Sequence, residues 1–171
     1  MSTGAPADPP GAGEARPWHR RFALTPSLDE VSRTTAQIQA LPRCLPEQEW
    51  HAVQVAVAEV LTNIVKHGYA GGGPGRVELV WIVQPGWLDI DVRDAGQPIP
   101  RDRLRQAGPT DFDFDPTDFQ GLPQSGLGLA LIKGAFDHYE YASRGGVNRL
   151  RLRKFFLPGP ATATVDRGQA R

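Results

Sequence analysis

Two residues on the stretch AVAEVLTNIVKHGYA, residues 56–70, could do chemistry together. Glu59 and Asn63 have helical i, i+4 spacing, so a helix sets them one turn apart, with Lys66 and His67 following on the same side. A carboxylate can take a proton from a hydroxyl or a water. A carboxamide oxygen is a hard neutral ligand suited to Mg²⁺, which prefers oxygen donors and keeps several of its waters. The same stripe also reads as the solvated face of an amphipathic helix, because Trp50, Val53, Val57, Leu61 and Ile64 fall on another face. Taken alone, the helix leaves both readings open.

Two further constellations lie downstream. In DVRDAGQPIP, Asp94 closes an alternating run and Gly96 follows two residues on. A carboxylate at a strand end, next to a residue without a side chain, can accept from the amino group of a planar base, although the same residues also make an ordinary turn. In SGLGLALIKG, Gly126 and Gly128 come just before an apolar helix, and free N–H groups at a helix start bind phosphate oxygens. The chain has no G-x-x-x-x-G-K-[ST] run, and Leu131 stands where a dinucleotide fingerprint needs its third glycine.

Positioning these groups requires a frame. HRRFALT reads as a first strand, and SLDE, residues 27–30, has capping-box spacing before a helix that Pro42 ends. Pro46, Glu47 and Glu49 suit the start of a second helix, which runs to a stop at about Gly68. RVELVWIV and WLDIDVRD alternate in period two around QPG, which predicts a β-hairpin. From Pro98 to Ser125 there is no regular period, and so long a stretch inside a compact domain reads as a functional loop or lid. A short helix from Leu127 to about Phe136 and strands near 139–142 and 148–155 complete the order βααββ, loop, αββ. The expected fold is an α/β two-layer sandwich, a mostly antiparallel sheet with helices on one face.

Composition narrows the class. The 19 basic and 19 acidic side chains balance, which removes the strong electrostatic argument for nucleic-acid binding. The one dense basic run, RLRLRK at 149–154, alternates with leucine and reads first as a strand with one wet face. Cys44 is the only cysteine, so neither an intrachain disulfide nor a cysteine zinc cluster can form. No apolar run approaches the ~20 residues that cross a bilayer, and the first 17 residues lack the apolar core of a secretory signal. The expectation is a cytoplasmic protein with no membrane and no direct nucleic-acid contact. Residues 1–17 and 158–171 are expected to be flexible tails around one domain at 18–157.

Taken in order, the three constellations resemble the GHKL superfamily of histidine-kinase-like ATP-binding domains. EVLTNIVKHGY resembles its N box, DAGQP its first glycine box and GLGLALI its second. The resemblance covers about residues 20–156 and implies the Bergerat fold with ATP and Mg²⁺. A free-standing domain of this kind is similar to the bacterial anti-sigma factor serine kinases. That resemblance implies a protein serine/threonine kinase that phosphorylates a small anti-anti-sigma partner and can instead hold a sigma factor; dimers are common in the family. The alternatives are a module of the same fold that binds a regulator without phosphorylating it, and a structural domain without nucleotide.

Carried onto this chain, the resemblance implies Glu59 as general base and Asn63 as the Mg²⁺ ligand. Asp94 would bind the adenine amino group, with Gly96 making room for the ring. Gly126, Leu127 and Gly128 would meet the phosphates through backbone amides, with Lys66 and His67 near them. Two positions depart from the family pattern. Pro98 follows DAGQ where many relatives have a second glycine, and Asn148 stands near the place of a common threonine, which leaves that adenine contact open.

Overall fold

A computed structural model of the chain describes residues 17–99 and 127–157. The elements are β1 (Trp18–Leu24), α1 (Leu28–Gln39), α2 (Glu47–Asn63), a π-helical turn (Ile64–Gly68), β2 (Val77–Gln84), β3 (Trp87–Asp94), α3 (Leu127–Ala135), β4 (His138–Arg144) and β5 (Val147–Phe155). This is the order expected from the sequence. The expected lid, apart from Pro98 and Ile99, lies outside the described residues, as do Gly126 and the two tails apart from Pro17.

The strands form one antiparallel sheet in the order β1-β2-β3-β5-β4. Period-two alternation puts Leu79, Trp81, Leu88, Ile90, Val92 and Leu152 on one face, where solvent hardly reaches them. Helix α2 lies on that face. Its Val53, Val57 and Leu61 are fully buried, and Trp50 meets Trp81 edge to face with ring centroids 5.4 Å apart. Each such side chain removed from water contributes ~1.5–3 kcal/mol, enough to fix a helix that also carries a polar stripe. Helix α2 also packs against α1 and α3, completing a two-layer α/β sandwich. At the start of α1, Ser27 Oγ accepts the Glu30 N–H at 3.2 Å, as the SLDE spacing predicts.

Helical winding reaches Gly68 as expected, but it changes character at the end of α2. The α-helix stops at Asn63 and the next five residues wind as a π turn, with the Tyr69 N–H donating to the Ile64 carbonyl at 3.2 Å. A π turn holds more residues than an α turn, so α-helical spacing no longer gives side-chain directions past Asn63. Val65 enters the core, and the expected Ile64 packs against it partly buried.

The far face of the sheet absorbs the basic run. Arg153 grips Asp89 through bonds of 2.6 and 2.7 Å, and Arg149 takes Asp91 through Nε at 2.9 Å and through its terminal nitrogen. Arg151 lies 3.6 Å from the same Asp91 carboxylate. Burial works against the Asp91 charge, but the bonds from Arg149 and Arg93 outweigh it and hold the carboxyl below its usual range. The arginines are thus matched within the sheet itself. None of the described helices is long and apolar enough to cross a membrane.

Candidate functional site

The π turn delivers the polar end of α2 to the end of β3. The Gln97 N–H donates to the Gly68 carbonyl at 2.8 Å, and a Cβ built on Gly68 would lie 3.8 Å from Asp94 Oδ1. The helix that carries Glu59 and Asn63 therefore ends against the turn that carries Asp94 and Gly96. The end of the Glu59–Asn63 segment and the Asp94–Gly96 turn thus share one corner of the sandwich.

On the helix, Asn63 Nδ2 donates to Glu59 Oε1 at 3.1 Å, and both side chains are half-buried. This bond takes the amide nitrogen and turns the carboxamide oxygen away from Glu59. Lys66 and His67 sit on the π turn and are exposed. Among the described residues, no hydrogen bond or ion pair joins either of them to Glu59, Asn63 or Asp94. Both thus lie past the change of winding, beyond the α-helix that carries Glu59 and Asn63.

The turn after β3 is tied at four consecutive residues. Asp94 Oδ1 accepts the Gly96 N–H at 2.8 Å, and the Ala95 N–H donates to the Tyr69 hydroxyl at 3.0 Å. The Gly96 carbonyl accepts from Asn148 Nδ2 at 2.9 Å, while Gln97 is held by Gly68 as above. A Cβ on Gly96 would lie 2.7 Å from the Gly68 carbonyl oxygen and 2.9 Å from the Tyr69 ring. Only glycine allows the turn to approach the helix end this closely. Gly75 yields to the same ring, since its Cβ would lie 2.4 Å from Tyr69 Cε1.

Two further side chains complete the corner. Asn148 on β5 pairs directly with Asp94 in the sheet register, and its Nδ2 reaches Asp94 Oδ1 at 3.0 Å. Tyr141 on β4 accepts the Ile99 N–H at 2.9 Å, fastening the chain where it leaves the turn. Burial pushes the Tyr141 hydroxyl above the usual phenol range; the bond from Ile99 works against this shift and the Asp94 charge works with it. Tyr69 and Tyr141 were not among the residues singled out from sequence. Tyr69 had a signal, since it directly follows Gly68 at the end of the helix. Tyr141 had none, because its position depends on strand order.

Of the third constellation, the structure describes α3 beginning at Leu127, with Gly128 in its first turn. Helix α3 packs against α2, so an apolar helix start and the Glu59 helix are neighbours. Among the described residues, no group of three or more His, Cys, Asp or Glu side chains could by itself hold a metal ion. The Asn63 oxygen beside a carboxylate instead suits a hydrated ion that arrives with phosphate oxygens as its other ligands.

Known proteins resemble this chain in sequence and in fold. The family described as histidine kinase-like ATPase domain matches residues 23–154. A serine-protein kinase RsbW of Halalkalibacterium halodurans is 35% identical over 115 residues, which span 67% of each chain. An anti-sigma F factor of Geobacillus stearothermophilus is 25% identical over 70% of this chain and 77% of its own length. Among solved structures, the RsbU and RsbW domains of Rv1364c from Mycobacterium tuberculosis superpose with a TM-score of 0.52 at 16% identity, over 82% of this chain and 32% of that one. At that identity the likeness speaks to the fold.

Proposed function

The chain belongs to the histidine kinase-like ATPase family, and from that premise we propose that it is an ATP- and Mg²⁺-dependent serine protein kinase acting as an anti-sigma factor. Its substrate in this reading is a serine on a small anti-anti-sigma partner, and its other partner is a sigma factor. The observation that carries the reading is that the helical segment bearing the Glu59–Asn63 pair ends, at Gly68, against the Asp94–Gly96 turn. The relatives named serine-protein kinase and anti-sigma F factor support the two halves of the role.

Bound ATP with its magnesium would supply the phosphoryl group and neutralise charge on the phosphate oxygens. The chain's own residues then divide the work. Glu59 takes the proton from the partner's serine hydroxyl, and Asn63 orients Glu59 through its N–H while offering its oxygen to the ion. Asp94 accepts from the amino group of the adenine, and Gly96 keeps that turn clear of a side chain. The backbone amides of Gly126, Leu127 and Gly128 meet the phosphates, where Lys66 and His67 add N–H donors.

Transfer of labelled phosphate from ATP to a partner that co-purifies with the tagged protein tests this reading. The expected outcome is Mg²⁺-dependent labelling of a serine on that partner. A partner that binds only with ATP and never becomes labelled would instead favour a switch without phosphotransfer.

A further inference from the structure

Asn148 is one of two polar side chains buried among the described residues, with 3% of its surface exposed. A buried carboxamide nitrogen must be satisfied, and this one finds both its partners at the corner described above. Its Nδ2 donates one hydrogen to Asp94 Oδ1 at 3.0 Å and the other to the Gly96 carbonyl at 2.9 Å. The Gly96 N–H also reaches Asp94 Oδ1, at 2.8 Å. Oδ1 thus takes two N–H donors, and among the described residues no hydrogen bond falls on Oδ2. The carboxylate cannot turn about its own axis without breaking both bonds.

We infer that Asn148 is the positioning residue that sets base specificity at this site. By tying Asp94 Oδ1 and the Gly96 carbonyl to one amide, it holds Asp94 Oδ2 as an oriented acceptor. A purine presenting an amino hydrogen to that oxygen is taken, and one presenting a carbonyl oxygen is refused. A carboxylate able to rotate would swing away from the carbonyl or admit a water between them; a fixed one leaves acceptor facing acceptor. The inference rests on the reading of Asp94 as the base-binding residue, and it adds a strand residue that acts through Asp94 without touching the base.

The test compares two variants of nearly the same shape that differ in one hydroxyl. Both Asn148→Thr and Asn148→Val suit a buried strand position, but only threonine keeps a donor for Asp94. Affinities for ATP and GTP are measured on the full chain for both variants, the wild type and Asp94→Asn, with the melting temperature of each. Asn148→Val should weaken ATP binding about tenfold, as loss of one buried bond to a charged group does, with GTP little changed. Asn148→Thr should keep the wild-type preference within about threefold, since its one donor still serves Asp94. If the valine variant does not fold, Asn148→Ala is measured in its place with the same expectation.

Equal losses for ATP and GTP, or an unchanged preference in the variant without a donor, would overturn the inference. In that case Asn148 would be only a packing residue, and the reading of Asp94 would stand if Asp94→Asn still lost ATP. Unchanged ATP affinity in Asp94→Asn would overturn both together.

Discussion

The two halves of the candidate site are built to different standards of rigidity. The turn from Asp94 to Gln97 is held at every residue by a different part of the fold: Asn148 from β5, Tyr69 and Gly68 from the end of α2, and its own Asp94 carboxylate. The Glu59–Asn63 pair has one mutual bond and is half exposed. A base that must be recognised the same way each time calls for a surface fixed beforehand. Groups that must meet an ion, a phosphate and a protein substrate in turn need acceptors left over. The contrast between a finished end and an unfinished end is what the reading of this chain as a kinase requires.

Substituting each half tests the contrast, beginning with the largest effect. Glu59→Gln keeps size and helix propensity but removes the proton acceptor, so phosphotransfer should fall by ~10²–10⁴-fold. ATP affinity measured by calorimetry should largely persist in this variant, because nothing in the finished half depends on Glu59. Undiminished transfer would remove Glu59 from the role of base. Gly96→Ala attacks the finished half, driving a Cβ to 2.7 Å from a backbone oxygen. A forced fit of that kind costs ~1–3 kcal/mol, so the melting temperature and ATP affinity should fall together. A variant as stable as the wild type would show that the turn can retreat from the helix end.

Smaller effects mark where the site stops. Ser27→Ala removes the cap of α1, which makes no hydrogen bond to either half among the described residues, and should cost ~1 kcal/mol in thermal unfolding while ATP affinity stays at the wild-type value. Asp91→Asn breaks the arginine cluster on the far face. Its arginine partners are partly exposed, so about 1 kcal/mol at neutral pH is expected. The sign with pH follows from the lowered carboxyl. The stabilisation is fully present above the unfolded-state value and is lost as pH falls through the lower folded-state value. The gap in melting temperature between wild type and Asp91→Asn should therefore close in strong acid. A gap that widened there would contradict the assignment of Asp91 as a paired carboxylate.

Much of this was legible in the chain because the signals are local. Period-two alternation in RVELVWIV and WLDIDVRD, the Ser27 cap and the apolar face of α2 each depend on neighbours a few residues away. The Glu59–Asn63 contact was legible for the same reason, since an α-helix fixes i, i+4 pairs. What escaped was either a change of winding or a matter of pairing. A π turn of five residues is too short to leave a readable period, so Ile64, Lys66 and His67 were placed with α-helical spacing. Asn148 was noticed at its position, but its contact with Asp94 depends on β5 pairing with β3 ahead of β4. Gly96 was read only as making room for the ring of a bound base; that Gly68 and Tyr69 occupy the space its side chain would need depends on a long-range approach with no local signal.

Amide hydrogen exchange on the nucleotide-free protein tests most directly whether the turn proposed to bind the base is finished before any ligand arrives. The account predicts that the N–H groups of Ala95, Gly96 and Gln97 exchange as slowly as those within strand β3, since all three are bonded in the fold itself. Exchange of these three at the rate of a free peptide, slowing only once Mg-ATP is added, would contradict it.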